Sequence, residues 1–173
     1  MNRHFHSVAV VGAGAVGSFF GAMLARAGSR VTLIGRAAHV QAIEGDGLRL
    51  EMAGRVETIG LAASVDLAAV RGADLVLFCV KSTDTDAVAR ELAAHLDAGA
   101  LVLSLQNGVE NAPSIAAQVP NTVVPAVVYV ATAMPRPGAV AHYGRGDLVI
   151  GPLSPGDAAD KAVRQRLDDL VAF

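Results

Sequence analysis

"SVAVVGAGAVGSFFGAMLARAGSRVTLIGR", residues 7–36, decides the fold. Residues 7–11 are small and β-branched and read as a buried strand. Residues 15–27 carry Val16, Phe20, Met23, Leu24 and Ala27 at helical spacing, and Gly28 stops the run. Residues 30–36 read as a second strand. Strand, glycine turn, helix and strand within about thirty residues is the size of a βαβ unit. At its first junction stands G-x-G-x-x-G, made of Gly12, Gly14 and Gly17. In that setting the first glycine permits the tight turn. The second lets a pyrophosphate approach the backbone, and the third lets helix and strand lie close. Exposed N–H groups and the helix dipole then favour a phosphate. The turn Gly12-Ala13-Gly14-Ala15-Val16-Gly17 is therefore the candidate dinucleotide site, with a purely structural turn as the alternative.

The end of the second strand bears on which dinucleotide. An NAD site places an acid there for the ribose 2′-OH. Here the residues are Gly35-Arg36. A guanidinium suits a 2′-phosphate, so NADP (NADPH) is expected rather than NAD or a flavin dinucleotide. The bland alternative is an arginine that only solvates a helix start.

Beyond residue 36 a short helix is expected near 37–44. Then Leu48, Leu50 and Met52 alternate with Arg49 and Glu51, a strand with one wet face, and Gly54 turns it into a second strand. This reads as an antiparallel ribbon inserted into an α/β chain. A short helical piece over 65–71 leads to "ADLVLFCV", whose continuous apolar run fits a central parallel strand. A helix over 83–97 follows, with Val88, Leu92 and Leu96 inward and Ser82 or Thr83 as its cap. Next come the strand "ALVLSLQ", a helix over 111–118 and the strand "TVVPAVVYVA", in which Pro125 restricts pairing. Two short strands around a Gly144-Arg145-Gly146 turn are read as a hairpin closing the sheet. The last segment, 157–173, is expected as one helix capped by Asp157, with Val163, Leu167, Leu170 and Val171 on its apolar side. It ends on apolar residues with no stop signal, which leads us to expect a polypeptide that continues as a larger enzyme.

Open α/β sheets bind ligands at strand C-termini, and two further candidates fall there. Lys81 directly follows the apolar strand in "CVKSTDTD" and can reach the cofactor's ribose or nicotinamide end; a solvated rim lysine is the alternative. Asn107 leaves the next strand in "SLQNGVEN". Its amide can both donate and accept, suiting a nicotinamide ribose and a substrate oxygen; an Asn-Gly turn is the alternative. Cys79 is expected as a buried strand thiol and not a nucleophile. His4 and His6 are expected at the surface, His39 and His95 exposed on helices, and His142 with Tyr143 in the late hairpin. No spacing suggests a metal site or a hydrolase elbow.

The 173 residues suit one domain, and with 53% hydrophobic residues a real core. A formal net charge of -2 gives no nucleic-acid footprint. No apolar run reaches the roughly 18–20 residues of a membrane span, and the first residues lack a secretory pattern. One cysteine allows no internal disulfide and fits a reducing, cytoplasmic setting.

Taken together, these segments resemble the ketopantoate reductase (2-dehydropantoate 2-reductase) family over nearly the whole chain. "VVGAGAVGSFFGAMLARAGSRVTLIGR" is similar to the family's opening, "CVKSTDT" to its lysine segment and "SLQNGVEN" to its asparagine segment. "ATAMPRPGAVAHYGRGDLVIG" is similar to the stretch in which an alanine contacts the cofactor. The resemblance implies NADPH-dependent reduction of 2-dehydropantoate to pantoate, on the way to pantothenate and coenzyme A. It implies cofactor contacts from Gly12, Ala13, Gly14, Ala15, Val16, Gly17, Arg36, Lys81, Asn107 and Ala133 (or its neighbour Ala131), with Asn107 also touching substrate. In the family a lysine of a following helical domain donates the proton. Residues 1–173 are thus expected as the NADP-binding Rossmann-like domain alone, with no catalytic acid beyond the weak candidate Lys81. A homodimer, if formed, is expected to run through that further domain. The expected fold is α/β: a Rossmann-type, mostly parallel sheet flanked by helices, with an inserted ribbon and a closing hairpin. A reductase of another keto or imino acid, and a non-catalytic NADP-sensing module, are the competing readings.

Overall fold

The computed structural model of the chain describes residues 5–173. The expected βαβ unit opens it as β1 (Ser7–Val11), α1 (Ala15–Arg26) and β2 (Arg30–Ile34). Next come α2 (Ala37–Asp46), the ribbon β3 (Leu48–Met52) and β4 (Arg55–Ile59), and a short β5 (Ala62–Ser64) that sequence reading missed. β6 (Leu75–Phe78), α3 (Thr85–Leu92), β7 (Leu101–Ser104), α4 (Asn111–Ala116), β8 (Val123–Arg136) and β9 (Ala139–Ile150) follow. The chain closes with α5 (Pro155–Ala159) and α6 (Lys161–Val171).

The strands form one sheet in the order β4-β3-β9-β8-β7-β6-β1-β2-β5. Every pair from β5 across to β8 is parallel; β9 then runs antiparallel to β8, and the ribbon attaches through β3 parallel to β9. Side chains alternate between two cores, as strand periodicity requires. Val8 and Val10 of β1 join Phe19 and Phe20 of α1 on one face. Ala9 and Val11 join Leu67, Leu92 and Ile115 on the other. All four residues of β6 are buried. Burying such side chains stabilises by roughly 1.5–3 kcal/mol each, which is why this strand reads as an unbroken apolar run.

Several sequence expectations change. Gly144-Arg145-Gly146 is not a turn: it lies inside β9, and the hairpin reverses at Pro137-Gly138, where Gly138 has φ +73°. The pairing slips at Tyr129/Val130, opposite Arg145, whose φ is +61°. The positive φ values in this triplet make a β-bulge that bends the strand without reversing it. The bend lets His142 stack on Phe19 of α1, with ring centroids 4.4 Å apart.

The final helix is two helices. Ser154 accepts from the Asp157 N–H and caps α5, so Asp157 is a first-turn residue and not the cap. Asp160 is extended and accepts from the N–H groups of Ala162 and Val163, starting α6 afresh. The expected 83–97 helix is shorter, beginning with a 3₁₀ turn at Ser82–Asp84; neither Ser82 nor Thr83 caps α3, which has no side-chain cap bond. The 65–71 piece is a 3₁₀ turn over Leu67–Val70. His95 falls in the turn after α3, half-buried, within 3.1 Å of Arg71 Nη2. His6 is exposed as expected, while His4 lies outside the described residues.

Candidate functional site

β1 ends where the strand order reverses, with β2 on one side and β6 on the other. Crevices of open α/β sheets form at such points. Each glycine of the turn has its own reason to be there. Gly12 has φ +95°, and a Cβ would lie 2.7 Å from the Cys79 carbonyl carbon and the Val80 nitrogen. It lets β1 leave the sheet against the end of β6. A Cβ on Gly17 would meet the Gly12 carbonyl oxygen at 2.5 Å and Val10 Cγ1 at 2.9 Å, so this glycine seats α1 on the strand. Gly14 differs: a Cβ there meets nothing within 4 Å. The protein's own packing does not ask for glycine at that position.

The amides of the turn sort into two groups. Those of Gly12 and Ala13 both donate to the Ile34 carbonyl, at 3.0 and 2.9 Å, and that of Gly14 donates to Gly12. These bonds hold the loop. At the start of α1 no side chain caps the helix and no acid sits in its first turn. The first-turn N–H groups of Ala15 and Val16 therefore lack an intrahelical partner and carry the positive end of the dipole.

This helix start opens on a cleft of about 460 Å³. Gly12, Ala13, Gly14, Gly35, Arg36 and Lys81 line it, so the turn and two of the sequence-selected cations meet in one place. Arg36 is exposed at the N-cap of α2, and Lys81 is exposed directly before the 3₁₀ turn that follows β6. Residues not singled out from sequence complete the wall. Val65, Leu67 and Val88 form an apolar side, and Val65 keeps 63% of its surface exposed. An apolar residue that exposed in a cleft is a signal only structure supplies. Asp84 and Glu91 add carboxylates at the rim.

Cys79, expected as a buried strand thiol, instead falls just past β6, is half-buried and borders the cleft; desolvation still pushes its thiol up to about 12, which leaves it inert as a nucleophile. Ala15, Val16 and Gly17 belong to the first turn of α1 and are not among the residues that line the cleft. Asn107 and Ala133 do not line the cleft. Asn107 is exposed just past β7, two strands from β1. Ala133 is half-buried on β8 opposite Ala141, and Ala131 is exposed. Among the described residues no cluster of three metal-ligating side chains exists, and no helix is long and apolar enough to cross a membrane.

His39 corrects another expectation: it is buried, not exposed. Its Nδ1 accepts from the Gly138 N–H at 2.9 Å, and its Nε2 lies 3.1 Å from Ser18 Oγ. With Nδ1 accepting, the neutral ring carries its proton on Nε2 and donates to Ser18. Burial first, and the charge of Arg36 second, hold its pKa below 6.5. One imidazole thus ties α2, α1 and the β8–β9 turn together beside the glycine loop.

Comparison with known proteins agrees with this geometry. The family profile described as Ketopantoate reductase PanE/ApbA matches residues 8–155. A 2-dehydropantoate 2-reductase of Halobacterium salinarum is 40% identical over 147 residues, covering 83% of this chain and 48% of the relative. A PanE/ApbA family ketopantoate reductase from Ralstonia eutropha, known as a crystal structure, is 55% identical with a TM-score of 0.83, over 91% of this chain and 52% of that one. A ternary structure of D-mandelate dehydrogenase with NADH and anilino(oxo)acetate is 29% identical with a TM-score of 0.79, over 94% and 54%. The chain spans about half the length of the curated relatives it matches. The glycine turn, the mixed sheet and the matched span of residues 8–155 together establish that the chain belongs to the ketopantoate reductase family.

Proposed function

We propose that this chain is the cofactor-binding part of an oxidoreductase that uses NADPH to reduce 2-dehydropantoate to pantoate, a step toward pantothenate and coenzyme A. The observation that carries the reading is the space at Gly14. A side chain there would be unopposed by the protein yet would stand at an uncapped helix start in a cleft bearing Arg36 and Lys81. Glycine at such a point makes room for a ligand, and the surrounding donors suit an anion.

In this reading the Ala15 and Val16 amides hold the pyrophosphate and Arg36 pairs with a 2′-phosphate. The apolar side formed by Val65, Leu67 and Val88 offers a face for a base. Lys81, Asn107 and Ala133 serve the ribose and nicotinamide end, with Asn107 also meeting a substrate oxygen. When bound, the dinucleotide supplies a hydride to the carbonyl carbon of a 2-keto acid. The chain's own part is to bind and orient. We assign the proton donor to the further length that the relatives possess, because the resident candidate, Lys81, is exposed and no hydrogen bond or ion pair among the described residues holds its Nζ toward a reacting oxygen.

A second reading has a specific basis. D-mandelate dehydrogenase, a fold neighbour at 29% identity, was captured with NADH and a 2-keto acid analogue, anilino(oxo)acetate. A related scaffold thus holds an aryl-bearing 2-oxo-acid analogue beside the other nicotinamide cofactor. Two measurements decide. The 173-residue chain titrated with NADPH is expected to bind it, yet to oxidise it with 2-dehydropantoate at less than about 1% of the rate of the complete reading frame's product. That product, assayed on a panel of 2-keto acids, is expected to prefer 2-dehydropantoate. Preference for an aryl 2-keto acid with NADH would establish the second reading, and no NADPH binding would overturn the first.

A further inference from the structure

The loops that carry Lys81 and Asn107 are joined by a buried polar relay. Gln106, directly before Asn107, donates from Nε2 to the carbonyl of Val80, directly before Lys81, at 3.0 Å. It also donates to Thr85 Oγ1 at 2.8 Å, and its Oε1 accepts from Ser104 Oγ at 3.4 Å. Thr85 Oγ1 donates to Asn111 Oδ1 at 3.1 Å. Asn111 Nδ2 donates to Ser82 Oγ, directly after Lys81, at 3.1 Å, and to the Asn107 carbonyl at 2.6 Å. The backbone around Lys81 is therefore gripped on both sides, by Gln106 of the loop after β7 and by Asn111 at the start of α4, and the amide of Asn111 also grips Asn107.

Thr85, Gln106 and Asn111 are only 3%, 7% and 8% exposed. Burying three polar side chains costs stability unless each is satisfied, and here each is. Apolar residues would pack α3 and α4 against the sheet without that requirement. What the relay adds is a fixed distance and angle between two loops whose functional side chains are themselves exposed. Resting on the reading of Lys81 and Asn107 as ligand contacts, we propose that Asn111, acting with Thr85 and Gln106, is a positioning residue of the dinucleotide site. It sets the two loops so that both side chains meet one ligand.

The test is a cycle of NADPH affinities in the intact chain. Asn111→Leu removes the grip without adding charge. It is expected to weaken NADPH about three- to ten-fold in the parent, as the displaced Lys81 and Asn107 side chains lose about one net hydrogen bond to the ligand. In a Lys81→Ala/Asn107→Ala background the same change is expected to do nothing further, because the residues it positions are gone. Thr85→Val, which deletes the hydroxyl at constant volume, should behave alike, and Thr85→Ser should restore parental affinity. These two decide the matter if Asn111→Leu does not fold. Equal weakening in both backgrounds, or no weakening in the parent, overturns the proposal and leaves the relay a matter of folding alone. If the Lys81→Ala/Asn107→Ala chain binds NADPH as tightly as the parent, the ligand reading of those two residues has failed and the proposal falls with it.

Discussion

Gly14 and Gly17 stand three residues apart, and the structure separates them by what a side chain would strike. Gly14 has φ −81° and ψ −167°, an extended backbone open to any residue, and its Cβ position is open space. Gly14→Val should therefore fold. Its cost is the poorer rank of valine at a helix N-cap, about 1 kcal/mol, or about 2–4 °C in Tm for a chain of this size. Its isopropyl group nevertheless fills the approach to the Ala15 and Val16 amides. Losing two charge-assisted hydrogen bonds of about 1.5–3 kcal/mol each weakens NADPH on the order of a hundred-fold or more. Gly17→Ala is the mirror image. Its methyl would stand 2.5 Å from the Gly12 carbonyl oxygen, which is main chain and cannot swing aside. Overpacking of that kind costs about 3 kcal/mol, or about 6–12 °C, before any ligand is added. Thermal melting without ligand and fluorescence titration with NADPH read the two effects separately. A folded Gly14→Val that binds NADPH like the parent would refute the assignment of this turn to the pyrophosphate.

Arg36→Ala is expected to weaken NADPH about ten- to a hundred-fold and to leave NADH unchanged. Parallel titrations check it, and equal losses would make Arg36 a support of the fold and not a reader of the 2′-phosphate. His39 gives a pH signature. Its pKa is lowered in the folded chain, so the unfolded chain binds the extra proton first as pH falls below about 6.5. Stability is then full above that pH and declines as pH falls through the window down to the folded pKa. Urea midpoints at pH 7.5 and pH 5 should show the decline, and His39→Gln should flatten it. An unchanged slope in that variant would assign the pH dependence to other groups.

The legible parts of this protein are those where a residue's role is fixed by neighbours close in sequence. The glycine turn is one: strand, turn and helix supply its context within residues 7–36, and Gly12 and Gly17 sit where the tight turn and the close helix–strand contact need them. Lys81 and Arg36 are others, because each lies two or three residues past the C-terminus of a strand that ends at the crevice. Asn107 lies past the end of β7, as the same logic expects, but outside the cleft. The amides and hydroxyl that fix its backbone were not found, since Thr85 and Gln106 look like ordinary polar residues until α3 packs beside β7.

Contacts made across the chain account for the errors. Gly144-Arg145-Gly146 has the composition of a turn, but whether such a triplet reverses or bulges depends on whether a partner strand continues past it. Here β8 does, from Tyr129 to Ala131. His39 is the sharper case. On α2 its spacing suggests an exposed polar residue, and what buries it is the Gly138 turn, 99 positions away in sequence. Gly138 sits close enough to α2 that a Cβ would lie 2.8 Å from that of Ala42. The glycine of the β8–β9 turn thus serves both its own positive φ and the close approach of a helix far away in sequence. That helix in turn supplies the acceptor for its N–H. Neither residue carries a local mark of the other, yet Ser18, one residue beyond Gly17, closes the triangle. The β8–β9 hairpin is therefore anchored to the helix that starts at the glycine turn. A change at Gly138 therefore has a direct route to the glycine turn, through His39 and Ser18.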